Sequence, residues 1–362
     1  MTKFNFHFAC IALMATALLS CSDDASSPTP NGPEILPPSS SSETMQPVSS
    51  SSVESSSTQV SHNSFPVYEF KNAPTPSKGC GKTYTLDNEV DYINGSTKRY
   101  NITSAGQKRT FYMDLPDNYD NTKPYKILFA NHFMGASAKE IAITENSVTF
   151  FSPYYGQKEL DTENNYIFVA PQGENDGTWC HSDNRDHIFF ADLLTLLEEN
   201  LCIDTSRVFV TGFSFGAMFS NSLAQEFQHR IRAVVAYSVA DYNIYIPENV
   251  GKPIAWMEVH GIRDVMCPYD RLDNAITRIL KHNGPEDGNG NFTDVSDEIG
   301  VMERYTEDMG KTHVCYDFKK VDPHFPVRVC TWDGTHDWLA SDNSRWQDSW
   351  VPKDVHKFIE QF

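Results

Sequence analysis

An α/β architecture, a mostly parallel sheet with helices on both faces, follows from three features of this 362-residue chain. Short β-branched and aromatic runs alternate with stretches of helical apolar spacing. Several of those runs are apolar at consecutive positions, as strands buried on both faces require. One of them, RVFVTG at 207–212, passes through a Gly-x-Ser-x-Gly turn straight into a helical pattern.

RTFYMDL (109–115), YKILFAN (125–131) and YIFVAP (166–171) read as strands. DHIFFADLLTLLEENL (186–201) reads as a helix with Ile188, Ala191, Leu194, Leu197 and Leu201 on one face. After the strand 207–212 come a helix from Ser214 to Phe227, then the strands AVVAYSV (233–239) and PIAWMEVHG (253–261). PYDRLDNAITRILKH (268–282) and VPKDVHKFIEQF (351–362) carry helical spacing again, and the polar run 283–300 between them reads as a surface excursion.

The net charge of -19, with acidic residues spread along the chain, argues against nucleic acid or anionic lipid as partner. Twelve histidines without a zincin-type pair, and the lack of any CxxC, argue against a structural or catalytic metal; nothing in the sequence asks for a cofactor.

The N-terminus has its own logic. Lys3 precedes an apolar run that ends in small residues, which is an export signal and too short for a spanning helix of roughly 20 apolar residues. Leu18-Leu19-Ser20-Cys21 resembles the lipobox of bacterial lipoproteins, so residues 1–21 are expected to be a signal segment with Cys21 as the lipidated position. Residues 22–64 are Ser/Pro-rich with almost no aromatic side chains, the composition of a flexible linker. The folded domain is expected to run from 65 to 362, reaching the membrane only through the N-terminal lipid.

The chemistry centres on VTGFSFGAM (210–218). A nucleophile elbow needs a strand, a sharp turn carrying a serine in a strained conformation, and a helix start; the flanking glycines let the turn pass its neighbours without a Cβ clash. Ser214 is therefore the candidate nucleophile, and the N–H of Phe215 the first oxyanion donor. A serine needs a base, and the base an orienting acid, in the chain order Ser, Asp or Glu, His. Asp264 follows the strand 253–261 by two residues; Asp241 also follows a strand, and Asp270 falls in a helical pattern. Of the five histidines after Asp264, only His336 lies just past a strand on a Gly-containing loop, so it is the candidate base. ILFANHFMGASA (127–138) supplies the second oxyanion loop, with Phe133 N–H as donor. Trp179, Met134, Phe133 and Trp338 are candidates to line an acyl or sugar site.

These residues carry a family resemblance. The chain from GCGKTY at Gly79 onward resembles carbohydrate esterase family 1: feruloyl esterases, with acetyl xylan esterase and polyhydroxybutyrate-depolymerase-like relatives. The segments that carry it are LCIDTSRVFVTGFSFGAM, AWMEVHGIRDVMCPY, CTWDGTHDW and WVPKDVHKFIEQF. The resemblance implies an α/β-hydrolase fold, a triad on Ser214, Asp264 and His336, and cleavage of esters on plant cell-wall xylan. Feruloyl cleavage is the first expectation and acetyl cleavage the second. A serine peptidase and a non-catalytic glycan-binding protein are the remaining alternatives. Phe133 departs from the Gly that many relatives carry after the histidine, and Cys180 is not expected from the family. Apart from Cys10 and Cys21, six cysteines remain, and an exported protein can oxidise them. The expected pairs are Cys80–Cys202, Cys180–Cys267 and Cys315–Cys330.

Overall fold

The computed structural model describes residues 73–86, 88–94, 97–143, 153–174, 177–180, 182–307, 313–342, 345 and 348–362. The expected signal segment with Cys21 and the expected linker 22–64 lie outside the described residues. No helix among them is long and apolar enough to cross a membrane.

The strands are β1 (Asn88–Asn94), β2 (Thr97–Ser104), β3 (Gln107–Asp114), β4 (Tyr125–Asn131), β5 (Tyr166–Pro171), β6 (Ile203–Phe213), β7 (Ala233–Tyr237), β8 (Ala255–Gly261), β9 (His313–Asp317) and β10 (Val327–Trp332). The helices are α1 (Ala138–Ala142), α2 (Gln157–Leu160), α3 (Arg185–Asn200), α4 (Phe215–Leu223), α5 (Tyr269–Leu280) and α6 (Val351–Glu360). Among the described residues the strands form one sheet in the order β1-β2-β3-β5-β4-β6-β7-β8-β10-β9. The centre from β5 to β10 is parallel, while β1, β2, β3 and β9 pair antiparallel at the two flanks. This is the α/β-hydrolase arrangement that the resemblance implies.

The central strands alternate faces, and both faces are dry. Ile127, Phe129, Val208, Val210, Val234 and Trp256 pack toward α3, α4 and α5. Their neighbours Leu128, Ala130, Phe209, Val235 and Met257 pack toward α1 and α6. That two-sided burial is why these strands read as unbroken apolar runs.

One expectation about a helix face is corrected, and several elements were not expected. On α3 the buried face is Phe189, Phe190, Leu193, Leu194 and Leu197, while Ile188 is 36% exposed. The two phenylalanines set the phase: Phe190 packs edge-on against Phe129 at 5.1 Å, and Phe189 lies 4.1 Å under the Arg109 guanidinium. The strands β1, β2 and β9 and the short helices α1 and α2 are not anticipated by the apolar pattern, because the flanking strands are polar and the two helices are under two turns long. The run 283–300 is a loop closed by a Glu286–Phe292 bridge, leading into a 3-10 helix, Ser296–Val301.

Disulfides join Cys80 to Cys202 and Cys315 to Cys330. The first clips the incoming chain to the start of β6; the second links directly opposed residues of β9 and β10. The expected Cys180–Cys267 bond is absent: both residues are buried thiols. Cys180 Sγ faces Glu174 Oε2 at 3.7 Å, whereas Cys267 closes the turn after Asp264, so the two are held by different loops.

Chain-entropy reasoning ranks the two bonds. Closing a loop of 122 residues stabilises by up to about 5 kcal/mol, and closing one of 15 by up to about 3. Replacing Cys80 and Cys202 by Ser should therefore lower the urea midpoint more than replacing Cys315 and Cys330. The opposite ranking would show that the β9–β10 clip is the main covalent brace.

Candidate active site

The loops that follow β4, β6, β8 and β10 meet at the carboxyl edge of the parallel strands, where ligand sites form in open α/β sheets. Each loop delivers one component.

Ser214 sits between β6 and α4 with φ 55 and ψ −119, a conformation that is costly for a residue with a side chain. Its backbone N–H donates to the Tyr237 carbonyl at 2.9 Å, which ties the strained residue to β7. The turn closes only because its flanking residues lack Cβ atoms. A Cβ on Gly212 would lie 2.4 Å from the Gly216 backbone, and one on Gly216 would lie 2.2 Å from the Asn131 carbonyl and 2.7 Å from that of His132. The same contact therefore presses the start of α4 against the loop after β4. Phe215 is the first residue of α4, where backbone N–H groups have no acceptor within the helix.

His336 lies on the loop after β10 with Nε2 2.8 Å from Ser214 Oγ and Nδ1 2.7 Å from Asp264 Oδ2. Its ring rests on Phe213 at 4.7 Å between centroids. Asp264 Oδ1 accepts from the N–H groups of Met266 (2.9 Å) and Cys267 (2.8 Å). Burial alone would raise the Asp264 carboxyl; the hydrogen bond and charge of His336, with the Cys267 N–H, bring it below the usual aspartate value. A Cβ on Gly261 would meet the Gly334 and Thr335 carbonyls at 2.4 and 2.5 Å, so the loops carrying acid and histidine touch backbone to backbone. The rival acids are elsewhere: Asp241 faces Arg271 and Arg278 at 3.5 Å, and Asp270 lies in α5. His313 and His324 pair with Asp342 and Asp322.

The loop after β4 is held by a buried neutral histidine. His132 Nε2 accepts from the Gly173 N–H at 2.9 Å, which leaves Nδ1–H to donate to the Phe133 carbonyl at 3.1 Å. Burial pushes this imidazole down to about 4. Phe133 and Met134 are half-buried, and Phe133 lies edge-on to Phe213 at 5.4 Å.

Trp179 and Trp338 are not where the sequence reading puts them. Trp179 is fully buried between His132 (4.7 Å) and Phe219 (4.1 Å), and its indole N–H donates to the His132 carbonyl at 2.9 Å. Trp338 is buried against Tyr155 at 5.3 Å. Both support the loops from behind, because an indole this large is more stable in the core than on a rim.

Cys267, expected from sequence in a disulfide, is instead a neighbour of Ser214 and Asp264. Burial raises its thiol well above the ordinary value, and its side chain meets Ser214. One ligand-type atom each from Asp264, Cys267 and His336 lies within 4.8 Å of the others. His336 is hydrogen-bonded to Asp264 through one ring nitrogen and to Ser214 through the other.

A second Ser–His–Glu set shows why geometry alone is insufficient. His187 lies 2.7 Å from Ser222 Oγ and 2.6 Å from Glu226 Oε2. Yet the Ser222 hydroxyl donates its proton to the Tyr245 carbonyl, and Ser222 is fully buried within α4. This set fastens α3 to α4 and has no room for a substrate.

Comparison with known proteins agrees with the geometry. Residues 190–304 match the phospholipase/carboxylesterase family model. Feruloyl esterase D of Neurospora crassa is 36% identical over 219 residues, covering 60% of this chain and 72% of that protein. Probable feruloyl esterase C of Aspergillus terreus is 35% identical over 59% of this chain and 71% of its own length. The Aspergillus clavatus protein of the same description is 31% identical over 73% of this chain and 84% of its own.

The depressed Asp264 carboxyl has a definite sign. Its contribution to stability is full above the unfolded value, about 3.9, and is lost as pH falls below that through the lower folded value. Asp264→Asn has no such contribution to lose, so its stability measured by urea unfolding should fall less steeply between pH 5 and 2.5 than that of the wild type. Identical acid limbs would mean that Asp264 is not selectively stabilised as a carboxylate.

Proposed function

This chain belongs to carbohydrate esterase family 1, and we propose that it releases ferulic acid from feruloylated plant cell-wall xylan through an acyl-enzyme on Ser214. The observation that carries the reading is the hydrogen-bonded line Ser214–His336–Asp264 at the strand ends, taken with the feruloyl esterases among its relatives. The chain is a carboxylic-ester hydrolase; the substrate and the residue roles are the proposal.

In the first step His336 Nε2 takes the Ser214 proton as Oγ attacks the ester carbonyl. Asp264 fixes the Nδ1–H tautomer and stabilises the imidazolium. Charge on the carbonyl oxygen is taken up by the N–H of Phe215 and the N–H of Phe133, each such donor worth about 3–4 kcal/mol in a site of this kind. His336 then gives the proton to the sugar oxygen as its bond to the acyl carbon breaks, so the sugar leaves as the alcohol. Water repeats the sequence and frees the acid. The half-buried Phe133 and Met134 offer apolar surface suited to an aromatic acyl group.

An extracytoplasmic location is part of the same reading. It is supported by the two disulfides and by the export-type N-terminus with Cys21 as lipid acceptor. Labelled palmitate should enter the wild-type protein in cells and not Cys21→Ala; equal incorporation would refute the anchor.

Wild type and Ser214→Ala, assayed on methyl ferulate and on acetylated xylan, test the activity itself. Ferulate release should fall at least ~10⁴-fold in the variant. Acetate release without ferulate release by the wild type would reassign the enzyme to acetyl xylan.

A further inference from the structure

Behind Asp264 lies a buried pair that the reaction scheme does not use. Glu258 and His260 are two residues apart on β8 and so share a face, and both are completely buried. Glu258 Oε1 accepts from the Val239 N–H at 2.9 Å and lies 3.0 Å from His260 Nδ1. His260 Nε2 lies 2.9 Å from the Cys267 carbonyl. A carbonyl oxygen can only accept, so Nε2 carries a proton. Nδ1 faces a carboxyl oxygen, and that contact is attractive only with a second proton between the two atoms. Two protons thus reside on the pair and leave it neutral overall. Glu258 Oε2 has no hydrogen-bond partner among the described residues, so the charge of an ionised Glu258 would have His260 as its close compensation.

The pair grips the turn that carries the acid. Asp264 Oδ1 is held by the N–H groups of Met266 and Cys267, the Met266 carbonyl accepts from the Tyr242 hydroxyl, and the Cys267 carbonyl accepts from His260. Asp264 Oδ2, which faces His336 at 2.7 Å, lies 3.8 Å from His260 Nε2. The turn is thus fastened at both ends, and a proton-bearing nitrogen sits behind the carboxylate.

We infer that Glu258 and His260 act as a positioning pair: by holding the Cys267 carbonyl they fix the turn 264–267 and so aim Asp264 at His336. This rests on the reading of Ser214 as nucleophile. Protonation fits the geometry. Burial pushes Glu258 up to about 7, and although burial opposes a charged His260, Glu258 and Asp264 hold it above the ordinary imidazole value. The other titratable groups facing the pair are Cys267 in the turn, Tyr269 of α5 with its ring 5.6 Å from His260, and Tyr237 of β7 on the Glu258 side. Because the His260 value is raised, the grip is complete at low pH and weakens as the pair loses its proton with rising pH.

Two variants test it. His260→Phe keeps the volume and removes both donors; His260→Gln keeps one donor toward the Cys267 carbonyl. The readouts are the rate of Ser214 labelling by a fluorophosphonate probe, which does not depend on the natural acyl group, the separate kcat and KM for ester hydrolysis, and the thermal midpoint. We expect His260→Phe to lower both the labelling rate and kcat by about 10–100-fold, with KM within about threefold of wild type. His260→Gln should recover part of the loss at a near-normal midpoint. Labelling of His260→Phe at the wild-type rate would overturn the inference. So would a fully active His260→Gln, which cannot hold Glu258 and the Cys267 carbonyl together; this arm decides the matter if the Phe variant does not fold. Wild-type protein that takes the probe but releases no ferulate would remove the proposed substrate and leave the inference standing. A wild type inert to the probe would remove both.

Discussion

The start of α4 packs backbone to backbone against the end of β4, where Gly216 lies against the carbonyls of Asn131 and His132 with no room for a side chain. Most of the site depends on that contact. It brings the loop with Phe133 beside the first turn of α4. It also fixes the entry to the turn whose middle residue, Ser214, is held at positive φ by its bond to Tyr237. A strained serine persists only if its surroundings over-determine it. Here they do: a glycine on each side, a strand below and a helix above leave it no relaxed alternative.

The remaining loops are fastened with similar economy. The acid and histidine loops touch through Gly261 and the 334–335 carbonyls, and the strand leading to His336 is cross-linked to its edge neighbour by Cys315–Cys330. On the other side, Arg109 bonds Asp186 at 2.5 Å, and Asp186 accepts from the Cys180 N–H at 2.7 Å, which anchors the segment that places Trp179 under His132. Such buried ion pairs add little net stability, because desolvation offsets their attraction. Their effect here is on the position of a loop.

The sequence was legible where local pattern and chemistry coincide. The Gly-x-Ser-x-Gly turn, the two-sided apolar strands and the chain order of acid and histidine all point to Ser214, Asp264 and His336, and the structure brings these three into contact. It was illegible where the answer depends on which way a large side chain turns. Trp179 and Trp338 flank the right loops but point inward, and Ile188 lost the buried face of α3 to Phe189 and Phe190 because neighbouring rings already waited there. Cysteine spacing could not reveal that Cys180 and Cys267 belong to separately held loops. Glu258 and His260 were hidden for another reason: within an apolar strand they read as interruptions, and only their shared partners expose their relation to Asp264.

His132 carries a consequence for how this protein responds to acidity. Its imidazole accepts one backbone N–H and donates to one backbone carbonyl, and burial keeps it neutral down to about pH 4. The hydrogen bonds by which His132 holds the loop bearing Phe133 therefore need no change of protonation across the mildly acidic and neutral range. Within that window the titrating groups near Ser214 are to be sought around Asp264 and not at His132.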